Sequence, residues 1–172
     1  MGQALPKPTL RPFLATDTPV LAVIFAASIL ELTGDDYSEA QQQAWAALAE
    51  DEEQFGKRLA GGLTLIATLR SSLVGFASLK GPDHIDMLYV HPSAIGQGVG
   101  AMLCDALEKL AGARGTKALT VDASDTAQEF FAKRAYVGKQ RNTVNVNGEW
   151  LANTTMQKVL ADNASLGGQN EP

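Results

Sequence analysis

Residues 84–101 run His84-Ile85-Asp86-Met87-Leu88-Tyr89-Val90-His91-Pro92-Ser93-Ala94-Ile95-Gly96-Gln97-Gly98-Val99-Gly100-Ala101, and their order decides the fold. The first seven are mostly branched, long apolar or aromatic, which predicts a strand from His84 to Val90. His91-Pro92 and the glycines Gly96, Gly98 and Gly100 follow. A helix is then predicted from about Val99 to Ala113, with Val99, Leu103, Ala106, Leu107 and Leu110 spaced to place one face on a sheet. Glycines at a strand-to-helix junction let the backbone approach a ligand closely. The N–H groups freed there combine with the helix dipole into an anion site suited to a diphosphate. A phosphate-bearing cofactor is the first inference, and a ligand-free glycine connector is its competitor.

Upstream, Leu63 to Leu69 and Leu73 to Leu79 read as a hairpin across the polar link Arg70 to Ser72. Everything before Leu63 is mainly helical. Thr16, Asp17 and Pro19 start a helix over Val20 to Leu32, and Ser38 with Gln41 forms a capping box for a second, Glu39 to about Ala49. The acidic run Glu50 to Glu53 leads into a helical turn ending at Gly61-Gly62. Downstream, Ala118 to Ala123 is a strand and Thr126 to Arg134 a helix with a Thr126/Glu129 capping box. Tyr136 to Val146 and Trp150 to Val159 form a hairpin about Asn147-Gly148, with Trp150 packed in it. Residues 1–160 form a single domain, and residues 161–172 lack apolar content and read as a disordered tail.

The 172 residues, 45% hydrophobic and 19% charged, suit one globular domain. A net charge of -5 without a Lys/Arg stripe argues against nucleic-acid binding. Cys104 stands alone beside two histidines, which excludes a disulfide framework and leaves poor metal ligand sets, so no metal is expected. Met1 to Pro12 has no apolar signal core. The apolar stretch Val20 to Leu30 is shorter than the about 20 helical residues that span a bilayer, so a soluble cytoplasmic protein is expected.

Gly96, Gly98 and Ala101 also satisfy the dinucleotide pattern G-x-G-x-x-G/A, with Asp122 placed as a ribose-binding acid. Against a NAD-dependent oxidoreductase, the motif follows an antiparallel hairpin, whereas a dinucleotide fold is built from βαβαβ halves.

Leu88 through Pro92, Gly96 through Gly100, and Ala127 through Phe131 to Tyr136 together resemble the GNAT superfamily of acetyl-CoA-dependent N-acetyltransferases. The order of elements agrees from about Thr9 to Leu160. The loop pattern of that family, Arg/Gln-x-x-Gly-x-Gly/Ala, places Gly98 and Gly100 and puts Ile95 where Arg or Gln stands. The resemblance implies a mixed α/β fold, a mostly antiparallel twisted sheet flanked by helices, with the fourth and fifth strands splayed to admit the pantetheine arm. It assigns cofactor contacts to Leu88, Tyr89, Val90, Ile95, Gly96, Gln97, Gly98, Val99, Gly100 and Ala101. Ser124 lies where the family often has an Asn at the cofactor, and Phe131 where it often has a Tyr near the thioester sulfur.

Acetyl transfer to an amine requires loss of an ammonium proton, stabilisation of charge on the carbonyl oxygen and departure of a thiolate. The backbone N–H of Leu88 is the oxyanion candidate. Alternation along the strand places His84, Asp86, Leu88 and Val90 on one face, directing His84 and Asp86 into the acceptor side of the cleft. An imidazole, with an ordinary pKa near ~6.5, suits a general base, and Asp86 orients it or attracts the ammonium. A solvated His84 at the strand start is the competing view. Phe25, Tyr37 and Trp45 are the aromatic candidates for the acceptor pocket. The expected activity is acetylation of a primary amine of a small molecule or peptide by direct attack. The alternative is an acyl-CoA-binding sensor without efficient turnover. An exposed edge over Thr143 to Ala152 offers a surface for a homodimer.

Overall fold

The computed structural model describes residues 6–161. All but the first residue of the tail therefore lies outside the described residues. Among these, seven strands form one sheet: β1 (Thr9–Pro12), β2 (Leu63–Leu69), β3 (Ser72–Lys80), β4 (His84–Val90), β5 (Ala118–Ser124), β6 (Val137–Val146) and β7 (Glu149–Val159). Their order is β1-β2-β3-β4-β5-β7-β6. Every neighbouring pair is antiparallel except β4 with β5, which is parallel. The crossover between that parallel pair runs through the helix Val99–Ala113, and the otherwise antiparallel pairing is not that of the βαβαβ halves of a dinucleotide fold.

Three helices precede β2: α1 (Thr18–Leu32), α2 (Glu39–Ala46) and α3 (Glu52–Ala60). Two follow β4: α4 (Val99–Ala113) and α5 (Gln128–Lys133). Each face of the sheet carries its own core. On one, Val99, Leu103 and Leu107 of α4 pack on Ala77, Leu79, Ile85 and Val121. On the other, Leu21, Phe25 and Ile29 of α1 with Phe55 and Leu59 of α3 cover Ile66, Phe76 and Met87. The spacing Leu21, Phe25, Ile29 repeats every four residues, so one stripe of α1 faces the sheet. Burying each such side chain contributes about 1.5–3 kcal/mol.

The rest of α1 is apolar as well, with Val20, Val23 and Leu30 exposed. The helical run Ala15–Leu32 is long and apolar enough to cross a membrane by length and composition, longer than the Val20 to Leu30 core of the sequence reading suggests. In this fold its buried stripe is occupied by the sheet.

Local signals are obeyed in part. Ser38 and Gln41 form the expected capping box of α2. Asn147 (φ 49°) and Gly148 (φ 89°) make the tight turn between β6 and β7, and Arg70 and Ser71 make one between β2 and β3 without a glycine. The Thr126/Glu129 box does not form, because the Thr126 hydroxyl donates to Asp36 (2.7 Å) instead. There α5 begins at Gln128 after the Ala127 N–H donates to Ser124 Oγ (3.1 Å). Asp17 does not cap α1 through its side chain; it accepts from Arg11 and from the Leu14 N–H. Trp150 is 61% exposed rather than packed in the hairpin, because its neighbour Leu151 takes the buried phase of β7. Cys104 is buried and free.

Candidate active site

The pairing of β4 with β3 slips at Asp86. Leu79 stands opposite Ile85 and Ser78 opposite Met87, so Asp86 is the extra residue of a β-bulge. The bulge resets the alternation of the strand. Ile85, Leu88 and Val90 pack with the α4-side core, while Met87 and Tyr89 pack with the α1-side core. The shared face expected for His84, Asp86, Leu88 and Val90 therefore does not exist: the Leu88 and Val90 side chains turn towards α4, and the Asp86 carboxylate meets Arg58 of α3. The unpartnered Ser78 hydroxyl, fully enclosed, sits opposite the bulge.

The backbone of β4 is paired on one side only beyond Ile85. The His91 N–H donates to Val74 O of β3 (2.8 Å). Peptide groups alternate sides of a strand, so those of Tyr89 face β3 as well, and those of Leu88 and Val90 face β5. β5 pairs with β4 only at His84–Thr120 and Ile85–Val121. Beyond Ile85 the strands splay, and the Leu88 and Val90 N–H groups open into a cleft.

The glycine loop closes one end of that cleft. Gly96 (φ 83°) and Gly98 (φ 80°) hold left-handed conformations, and a Cβ at either would meet nothing within 4 Å. The glycines are thus required by backbone conformation and leave open space above the start of α4, of which Gly98 is the N-cap. Gly100 lies against Phe130, whose Cε1 would be 3.3 Å from an added Cβ. The Gln97 side chain donates to Ser93 O (3.3 Å), Val99 is core, and Ile95 is 53% exposed. A cavity of about 420 Å³ runs from Ile95, Gly96, Gly98 and Ala101 along Leu88 and Val90 to Phe130 and Phe131. Its apolar walls, open strand edge and glycine-capped helix start fit the arm and diphosphate of acetyl-CoA.

A second cavity of about 230 Å³ lies on the other side of the splay, with Tyr37, Trp45, Arg58, His84, Asp86 and Asp122 in its lining. Leu88, Ser124 and Phe131 border both cavities. A group reaching the end of the first cavity thus meets one entering through the second. In the second, Arg58 donates through Nε to Asp86 Oδ2 (2.8 Å) and through Nη2 to Oδ1 (3.1 Å). His84 Nδ1 lies 2.8 Å from Thr120 Oγ1, and Nε2 lies 3.8 Å from Asp122 Oδ2. Asp122 also accepts from Thr155 Oγ1 (2.6 Å). Sequence reading singled out His84 and Asp86 but missed Arg58 and Thr120, whose distance in sequence leaves no local signal. It met Asp122 only in the dinucleotide pattern.

The aromatic candidates divide. Phe25 lines neither cavity; it is fully buried between Phe55 (5.2 Å) and Tyr89 (4.6 Å), because it belongs to the sheet-facing stripe of α1. Trp45 borders both cavities. Tyr37 lines the second, and its hydroxyl is engaged, donating to Ala152 O (2.6 Å) and accepting from the Asp125 N–H (2.9 Å). Burial raises its pKa and pushes that of Tyr89 up to about 12. Phe131 is buried at the junction, edge-on to Tyr136 (5.2 Å). The Tyr136 hydroxyl donates to Glu108 (2.8 Å), and burial raises its pKa.

Residues 33–160 match the family described as Acetyltransferase (GNAT) domain. The chain belongs to that family. The protein called uncharacterized N-acetyltransferase YafP, from Escherichia coli (strain K12), is 31% identical over 148 residues, 86% of this chain and 93% of that protein. The crystal structure described as GCN5-related N-acetyltransferase: Aminotransferase, Class-II, from Rhodopseudomonas palustris, is 67% identical. It superposes with a TM-score of 0.89 over 93% of this chain and 100% of that one. The PaiA N-acetyltransferase of Thermoplasma acidophilum, solved in complex with coenzyme A, shares the fold (TM-score 0.74) at 19% identity. It covers 89% of this chain and 99% of its own.

Proposed function

We propose that the protein transfers acetyl from acetyl-CoA to a primary amine of a small molecule or peptide by direct attack on the thioester. The observation that carries this is the meeting of the two cavities at Leu88, Ser124 and Phe131, one apolar with a glycine-capped helix start, the other bearing His84 and Asp86. The coenzyme A bound to the PaiA relative supports acetyl-CoA as donor in the corresponding fold.

Acetyl-CoA supplies an activated acyl group. The loop from Ile95 to Ala101 holds its diphosphate through backbone N–H groups, and the Leu88 and Val90 peptides pair with its amides as an added strand would. The Leu88 N–H, fixed on a rigid strand, stabilises negative charge growing on the carbonyl oxygen. Asp86, oriented by its two hydrogen bonds from Arg58, draws the ammonium into the second cavity. His84, held by Thr120, takes the proton. Phe131 has no proton to give at the junction, so the departing sulfur leaves as a thiolate that takes the amine's second proton through water, or is protonated by the Ser124 hydroxyl that borders both cavities.

Coenzyme A release, followed with a thiol reagent across a broad amine panel, tests this. Turnover well above thioester hydrolysis is expected with at least one amine. Binding of acetyl-CoA without turnover on any amine contradicts the proposal and favours a sensor.

A further inference from the structure

Resting on the acetyl-transfer reading, we infer that the acceptor is a small amine with a single positive charge on an apolar body, and not a polycation. Three features of the second cavity carry this.

The first is charge. The charged side chains in its lining are Arg58, Asp86 and Asp122, one positive against two negative, with His84 beside them. Their sum is one negative charge, which matches one ammonium. A polyamine or aminoglycoside would bring several positive charges to a lining whose own net charge is a single negative one. Its surplus ammoniums would lose water without gaining partners.

The second is an apolar part of the lining. Leu48, Val144, Val146 and Leu151 belong to it, and Leu48 (37%) and Val144 (43%) are exposed large apolar side chains. The lining therefore offers both charged and apolar groups, as an amphipathic acceptor requires. The hairpin part of the apolar lining is fixed in advance. Gln41 Nε2 donates to Trp150 O (2.8 Å), Asn147 Nδ2 to Ala44 O (2.8 Å) and the Tyr37 hydroxyl to Ala152 O (2.6 Å), tying the β6–β7 hairpin to the helical layer.

The third is size. About 230 Å³ falls below the roughly 300–1,000 Å³ of sites for drug-sized ligands, which suits an amine of modest length such as 2-phenylethylamine or hexylamine.

The test measures kcat/KM at saturating acetyl-CoA for 2-phenylethylamine, hexylamine, spermidine and kanamycin. The two apolar monoamines should exceed the two polycations at least tenfold. Val144→Asp should cut that advantage at least tenfold with acetyl-CoA affinity and melting temperature unchanged, whereas Val137→Asp, at an exposed β6 position outside the cavity, should leave it intact. Preference for spermidine or kanamycin, or an unaffected Val144→Asp variant, overturns the inference. If no amine is acetylated, the transfer reading fails, and calorimetry on the coenzyme A-loaded protein still decides the class. Saturable binding of 2-phenylethylamine but not spermidine upholds it, and the reverse or no binding overturns it.

Discussion

Arg58 and Asp86, 28 positions apart in sequence, meet in a two-pronged ion pair at the β4 bulge, the guanidinium on α3 reaching across to the carboxylate on the strand. The pair is partly enclosed, with Asp86 17% and Arg58 39% exposed. The two hydrogen bonds from Arg58 aim this carboxylate into the second cavity, where it can gather an ammonium. Asp86→Asn should therefore lower turnover at least tenfold and leave acetyl-CoA affinity unchanged, because the diphosphate loop lies at the other end of the cleft. Steady-state kinetics with a parallel binding titration checks this; unchanged turnover removes Asp86 from the mechanism.

Tyr89 borders both cavities, and burial pushes its pKa up to about 12. Its hydroxyl stays protonated through any working pH and shapes neither limb of a pH–rate profile. Tyr89→Phe should keep the profile of kcat/KM unshifted between about pH 6 and 10, even if its height changes. A limb that moves or vanishes in this variant would make Tyr89 a titrating participant.

Ile95 occupies the position where the family pattern has Arg or Gln, and its side chain is 53% exposed beside the glycine loop. The backbone N–H groups there need no help from it, but a guanidinium adds charge-assisted hydrogen bonds to a phosphate. Ile95→Arg should tighten acetyl-CoA binding several-fold with no loss of thermal stability. Weaker binding would mean that the diphosphate does not lie at this loop.

Asp17 accepts two hydrogen bonds from Arg11 and one from the Leu14 N–H, and the Arg11 bonds chiefly hold its pKa below the ordinary carboxylate value. The folded pKa lies below the unfolded one of about 3.9, so the contribution is complete above that value and disappears as pH falls through the folded pKa. Asp17→Asn should cost about 1–2 kcal/mol at neutral pH. The difference from the parent should shrink as pH drops below about 4. Denaturant titrations at neutral and acid pH measure both; a pH-independent difference would point to lost packing rather than lost charge.

The architecture was largely legible in the sequence because its strongest signals are local. The glycine loop, the capping box at Ser38, the Asn147-Gly148 turn and the apolar stripe of α4 each report a nearby backbone requirement. The cleft backbone at Leu88 and Val90 was legible for the same reason. The site side chains were less so. Strict alternation fails at Asp86, because a bulge is a property of the pairing between β3 and β4 and leaves no mark in β4 alone. Phe25 and Trp45 are aromatic residues of the same helical layer, yet one is core and the other borders the cleft. Only the packing of α1 on the sheet distinguishes them. Thr126 followed the nearer and stronger competitor for its hydroxyl, Asp36, a contact across 90 residues of sequence.

The most direct measurement is a calorimetric titration of the protein with acetyl-CoA, run in parallel with NADH. One-to-one binding of acetyl-CoA and no response to NADH is the predicted result, since the proposed function has the glycine-capped helix start and the open β4 edge act together on a diphosphate with an amide-bearing arm. Failure of acetyl-CoA to bind would contradict the account, and binding of NADH in its place would return the glycine loop to the dinucleotide reading.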